Sequence, residues 1–201
     1  MGTELFDFDK TLTYRDTTLP LFCYQQTRWR RGVMVVVYYG LAVLVKGGLL
    51  KTAELKRLML QLFYGHWEQL RWEAHCAAFA HSIRTNQLYA QTLWEEGQKW
   101  VVSASFEAVL RPLFPKQVKL IGSKITKVAG QWQWQQHAYG REKAVLLQNA
   151  GVDRADRVYT DSHSDRYMMA FATEIVWVAG DTTTCYTRAD WERKYGSLPK
   201  M

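Results

Sequence analysis

Apolar residues along the chain gather into five short runs separated by helix-like stretches. Residues 3–7, Trp100–Ser103, Val118–Ile121, Val158–Thr160 and Ile175–Ala179 each have the length and apolar content of a buried strand. Between them, Phe106–Leu110 and Glu142–Ala150 read as helices, the second closed by Gly151 in the manner of a C-terminal cap. Strands alternating with helices predict a three-layer α/β core with a mainly parallel, Rossmann-like sheet. A β-hairpin is expected where Lys124–Val128 and Gln131–Gln135 flank Ala129-Gly130, with Trp132 and Trp134 on one face packing over the core.

One stretch breaks the rhythm. From Asp16 to Trp94 the pattern is helical and offers no convincing strand. The expectation is a discontinuous core, residues 1–15 and 95–201, with an all-helical lobe, residues 16–94, inserted after the first strand. Within that lobe Val33–Val45 is an apolar run of thirteen residues, VMVVVYYGLAVLV, preceded by Arg28, Arg30 and Arg31 and followed by Lys46. Thirteen helical residues reach only about 20 Å, short of the roughly 30 Å hydrocarbon core of a bilayer. The run therefore reads either as a buried helix of the lobe or as part of a membrane-docking segment, residues 28–46, with Trp29 and the arginines at the head groups.

Composition changes this picture only at the margins. With 201 residues, 48% of them hydrophobic, the chain can bury a substantial core and is not a disordered tail. A formal net charge of +7 favours anionic partners: phosphorylated metabolites, acidic lipid head groups or nucleic acid. Cys23, Cys76 and Cys185 lie far apart, with neither a CxxC pair nor the even count of a disulfide framework, which suits a reducing compartment. The N-terminus shows no signal-peptide pattern. The expected location is the cytoplasm, extending to the cytoplasmic face of the inner membrane.

Candidate chemistry is concentrated in FDFDKTLT, residues 6–13, where Asp7, Asp9 and Thr11 follow the first buried strand. The carboxyl edge of an open α/β sheet is where ligands bind. Two carboxylates one residue apart repel, and their placement there makes sense if a cation sits between the chain and a phosphate. An Asp at a strand end also commonly caps the next turn. Three later elements weigh against the capping account alone. Val101-Val102-Ser103 ends a core strand in a hydroxyl, Lys143 stands at the start of a helix after Tyr139-Gly140-Arg141-Glu142, and Asp161-Ser162-His163-Ser164-Asp165 ends another strand in two carboxylates.

In this order and spacing the motifs DFDKT, VVSAS, the Lys143 element and DSHSD resemble the haloacid dehalogenase superfamily, specifically its phosphoserine phosphatase-like branch with an inserted helical cap. The resemblance implies that Asp7 attacks phosphorus to form an aspartyl phosphate. It gives Asp9 the role of acid and then base, and gives Thr11, Ser103 and Lys143 the phosphoryl group to hold. It also implies Mg²⁺ bound by Asp7, the Asp9 backbone carbonyl and Asp161, with Asp165 as ligand or partner. Lys10 stands where many members have Gly, Thr160 replaces a frequent Gly, and Asp165-Arg166-Tyr167-Met168-Met169 lacks a usual Leu-Pro. In composition the inserted segment resembles the bacterial phosphatidylglycerophosphatase C group.

The expected function is therefore Mg²⁺-dependent hydrolysis of a phosphomonoester, with a lipid phosphate such as phosphatidylglycerophosphate as substrate. A soluble phosphorylated metabolite such as phosphoserine is the alternative. Asp16 keeps it open, because phosphoserine enzymes place a Glu there for the substrate amine, although Asp16 also suits a helix N-cap. A third reading is a catalytically idle module that binds anionic lipid or nucleic acid. The intact acids at 7, 9, 161 and 165 argue against it, and no nucleic-acid partner is expected.

Overall fold

The computed structural model describes residues 2–94 and 96–199. The expected return to the core at Glu95, and the last two residues, Lys200 and Met201, lie outside them. Seven strands form one sheet: β1 (Thr3–Phe6), β2 (Gln98–Phe106), β3 (Lys119–Val128), β4 (Gln131–Gln136), β5 (Ala155–Thr160), β6 (Ala172–Ala179) and β7 (Thr182–Thr187). Their order is β4-β3-β2-β1-β5-β6-β7. The five inner strands run parallel, and β4 and β7 pair antiparallel at the two edges. β1 is central, with Leu5 beside both Trp100 and Val158.

Strand residues alternate between two apolar layers, as a pleated strand covered on both faces requires. Leu5, Val102, Val158 and Ile175 face one layer, which is completed by α7 (Arg141–Asn149), α8 (Arg166–Met169) and α9 (Arg188–Tyr195). Phe6, Val101, Tyr159 and Val176 face the other, covered by α5 (Gln87–Trp94), α6 (Glu107–Leu110) and Phe114. The core is thus the expected three-layer α/β arrangement. Gly151, at φ +78°, closes α7: its N–H donates to the Gln148 carbonyl and that of Val152 to the Leu147 carbonyl, a Schellman pair.

Between β1 and β2 the chain is helical: α1 (Thr18–Cys23), α2 (Arg28–Lys46), α3 (Thr52–Tyr64), α4 (Gln69–Ala80) and α5. The apolar cluster of α1–α4, including Phe22, Met34, Met59, Tyr64 and Trp72, continues into Phe106, Ile125 and Trp132 of the sheet, whereas α5, inside the expected lobe 16–94, packs on the α/β core through Leu88 and Tyr89. The hairpin tryptophans therefore pack beneath the helices rather than over the α/β core. Trp132 Nε1 donates to the Tyr64 carbonyl at 3.1 Å and Trp134 Nε1 to that of Ala53 at 3.2 Å.

α2 spans nineteen residues and is apolar on two faces. Met34 is buried, with Val37, Leu41 and Val45 packed beside it on the helical cluster. Trp29, Val36 and Val43 lie on the opposite face at 75%, 73% and 69% exposure. No helix among the described residues is long and apolar enough to cross a membrane. Nor does any Asp or Glu occur between Asp16 and Glu54, while five Lys and Arg do.

Candidate active site

Because β1 ends at Phe6, Asp7 emerges at the carboxyl edge of the central strand, its N–H still held by the Tyr159 carbonyl at 2.9 Å. The chain then turns sharply. Lys10 sits at φ +58°, a left-handed conformation that costs a side-chain-bearing residue free energy and that Gly adopts more readily. Thr13 Oγ1 stabilises the turn by accepting from the Lys10 N–H at 3.0 Å.

Lys143 reaches the same point from α7. Its N-cap, Gly140, has φ +58° and ψ −127°, a region that L side chains rarely adopt, and this brings the helix start to the sheet edge. Lys143 is buried, and its Nζ donates to Asp7 Oδ1 and Asp165 Oδ1, each at 2.7 Å. Thr160 donates through Oγ1 to Asp165 Oδ2 at 2.7 Å and so satisfies that carboxylate's second oxygen. Thr11 Oγ1 accepts from the Asp161 N–H at 3.1 Å and ties the two motif loops together.

Asp9 is held by a different set. Its Oδ1 accepts from the Thr17 N–H and hydroxyl at 2.8 and 2.7 Å, and its Oδ2 accepts from Ser105 Oγ. Ser103 is buried and its Oγ accepts from the Ser105 N–H at 3.1 Å. Lys56, from α3, is buried against this cluster and donates to the Ala104 carbonyl at 2.8 Å. Asp16 accepts from the Thr18 N–H at 2.8 Å in an Asx-turn, one residue before the N-cap of α1, which is Thr17 rather than the Asp16 that the sequence suggested.

Asp7, Asp9, Lys10, Asp16, Tyr38, Lys56, Ser103, Lys143, Asp161 and Asp165 border a cavity of about 280 Å³. All the site residues expected from the sequence border it except Thr11, which is buried behind it against Asp161. Lys56, Tyr38, Ser105 and Thr17 were not anticipated. Lys56 had a signal: it shares a helical face with Met59, Leu60 and the other buried residues of α3, where a lysine is out of place.

Buried negative charge dominates the electrostatics. Burial, reinforced by Asp165 and Asp9 and opposed by Lys143, pushes Asp7 up to about 8. Burial and Asp16 also raise Asp9, against its hydrogen bonds from Ser105 and Thr17. Burial lowers Lys56, with Asp9 and Asp16 opposing. Burial works against the Lys143 ammonium too, yet Asp165 and Asp7 together hold it above its usual range. A nucleophilic carboxylate in this setting calls for more positive charge, and the all-oxygen donors at 7, 9, 161 and 165 suit a hard cation such as Mg²⁺. As the side chains stand, no three metal-binding groups converge on one point among the described residues, and the Lys143 ammonium lies between Asp7 and Asp165.

His137, beside Trp134 and Tyr139, is lowered to about 4 by burial and then by Lys56. The folded protein keeps this ring neutral while the unfolded chain takes up a proton near 6.5. Its stabilising contribution is therefore complete above pH 6.5 and is lost as pH falls towards 4. Urea unfolding should show stability declining through that window, with a shallower decline in His137→Gln. An unchanged slope would remove His137 from the account.

The fold and this cavity bring carboxylates and a buried ammonium together at the carboxyl edge of an α/β sheet. A family model for haloacid dehalogenase-like hydrolases matches residues 5–170, and the chain belongs to that family. A search among curated proteins finds no significant match. Among solved structures, a protein of unknown function from Bordetella pertussis Tohama I is similar at 16% identity and TM-score 0.69, over 87% of this chain and 89% of that one. A phosphoserine phosphatase in apo form is similar at 14% identity and TM-score 0.53, over 87% and 84%. A phospho-aspartyl intermediate analogue of phosphoserine phosphatase gives 13% and 0.51 over the same shares. At these identities the likeness is one of fold.

Proposed function

We propose that the protein is a Mg²⁺-dependent phosphomonoester hydrolase working through an aspartyl phosphate on Asp7. The observation that carries this reading is the convergence of Asp7, Asp9, Ser103, Lys143, Asp161 and Asp165 on one cavity. Family membership and the phosphatase fold neighbours support it. An Asp7 oxygen attacks phosphorus and the bond to the leaving alkoxide breaks. Asp9 protonates that alkoxide, then takes a proton from the water that hydrolyses the acyl phosphate. Ser103 and Lys143 orient the transferred group, and Thr11, behind the cavity, acts on it through Asp161. Asp7, Asp161 and the Asp9 carbonyl, with Asp165, would hold Mg²⁺, which supplies neutralisation of phosphate charge. Helices α1–α4 form the cap, α5 packing on the sheet instead, and Lys56, Tyr38 and Asp16 line the leaving-group side of the cavity.

The substrate we favour is a lipid phosphate presented at an anionic membrane surface, of which phosphatidylglycerophosphate is an example. This rests on the exposed apolar face of α2 and on the acid-free, basic stretch between Asp16 and Glu54. A soluble phosphomonoester remains the second reading, supported by the small, polar cavity. The test is turnover of an aryl phosphate, soluble phosphomonoesters and detergent-dispersed phosphatidylglycerophosphate, each with and without Mg²⁺. We expect Mg²⁺-dependent turnover with the lipid preferred. Absence of turnover on every substrate would overturn the hydrolase reading, and preference for a soluble ester the lipid one. The double variant Val36→Asp, Val43→Asp should lose binding to anionic liposomes while still hydrolysing the aryl phosphate.

A further inference from the structure

The loop that joins β5 to α8 carries Asp161 and Asp165, and the residue midway between them is His163. Inside the loop, the Ser162 hydroxyl caps the short 3₁₀ turn His163–Asp165 by accepting from the Ser164 N–H. Outside it, the His163 ring lies against three rings of the C-terminal segment: Trp177 at 4.9 Å, Tyr195 at 5.3 Å and Trp191 at 5.5 Å between centroids. Those rings are fixed in turn. Trp191 is 2% exposed and packs on Tyr195 at 4.4 Å, Trp177 at 5.4 Å and Tyr186 at 5.5 Å. Trp177 stands beside Thr160 in the sheet, and Thr160 holds Asp165. The three rings belong to β6 and α9, and all lie beyond residues 5–170, the span of the family match.

We propose that this C-terminal aromatic cluster is a clasp that positions the Asp161–Asp165 loop through His163, setting how tightly the site takes up a divalent cation. This rests on the metal-dependent reading above. Aromatic contacts with these spacings are individually modest, but three on one ring restrict a short loop that has no other side-chain tie to α9 among the described residues. Groups behind a metal's ligands commonly set its affinity by orienting those ligands. His163 is a positioning residue here: the ring supplies shape and contact area. Coupling is reciprocal, so ordering of the loop by the cation must be felt in α9.

The test uses Mg²⁺ alone as ligand, on the full chain. Calorimetric titration of His163→Ala should show Mg²⁺ affinity reduced by about tenfold, and high Mg²⁺ should restore most aryl phosphate turnover. His163→Phe, which keeps a ring and removes both nitrogens, should bind Mg²⁺ nearly as the native protein does. Hydrogen exchange of residues 185–195 should slow when Mg²⁺ is added to the native protein and to His163→Phe, but not to His163→Ala. Native-like affinity in His163→Ala would overturn the clasp. So would a His163→Phe variant as weak as His163→Ala, because the ring nitrogens would then be what matters. Mg²⁺ binding by neither the native protein nor any variant, with aryl phosphate still hydrolysed, would reject the metal-dependent reading and the clasp with it. Mg²⁺ binding without hydrolysis would reject the hydrolase reading but leave the clasp testable by affinity and exchange.

Discussion

Asp7→Asn is expected to abolish turnover while the protein stays folded. The amide has nearly the same shape, and its oxygen can still accept from Lys143, whose second partner Asp165 is untouched. It cannot form the acyl phosphate, so kcat should fall by about five to six orders of magnitude, the scale seen when a nucleophile is removed elsewhere. Rapid-quench labelling with radioactive phosphate-bearing substrate should find no covalent adduct. Substantial activity in a folded Asp7→Asn protein would remove Asp7 from the mechanism.

Lys143→Met should be the most damaging single change to stability near the site as well as to catalysis. The Lys143 side chain is 3% exposed and its ammonium is shared by two buried carboxylates. Taking it away leaves Asp7 and Asp165 facing each other without compensation, a loss typically of about 3–5 kcal/mol when a buried pair is broken. Urea unfolding at neutral pH would measure it. A midpoint unchanged from the native protein would mean that the carboxylates take up protons at little cost. In Lys143→Arg charge returns with a different shape, so stability should recover further than turnover.

The core was legible because its signals were strong and redundant. Each parallel strand reads as an apolar run, and FDFDKT places two carboxylates directly after one of them. Gly151 marked the end of α7 because its positive φ is a chemical requirement of that turn. β7 was not legible: Thr182–Thr187 is a polar, largely exposed edge strand whose only inward-packed side chain among the described residues is Tyr186, too little to imprint a pattern. Nor was the grouping of Ser105 and Thr17 on Asp9, since small hydroxyl residues occur in every kind of local structure. α2 defeated periodicity in another way. A helix apolar all round tells a reader that it avoids water, but not which face meets protein.

The hairpin also bears on how the molecule must be treated as an object. β3, next to the edge strand β4, contributes Ile121 to the α/β core and then runs out under the helices, where its Ile125 and Trp132 of β4 complete the same apolar cluster as Met34 and Met59. A single unbroken strand therefore belongs to two hydrophobic interiors at once. The inserted helices are consequently not a detachable part that could be excised at its two chain crossings or exchanged for a relative's without its own hairpin. Any transplant that leaves β3 and β4 behind separates Trp132 and Trp134 from the carbonyls of Tyr64 and Ala53 that accept their indole hydrogens. The natural unit of exchange in this protein is the helical segment together with the strand pair that underlies it.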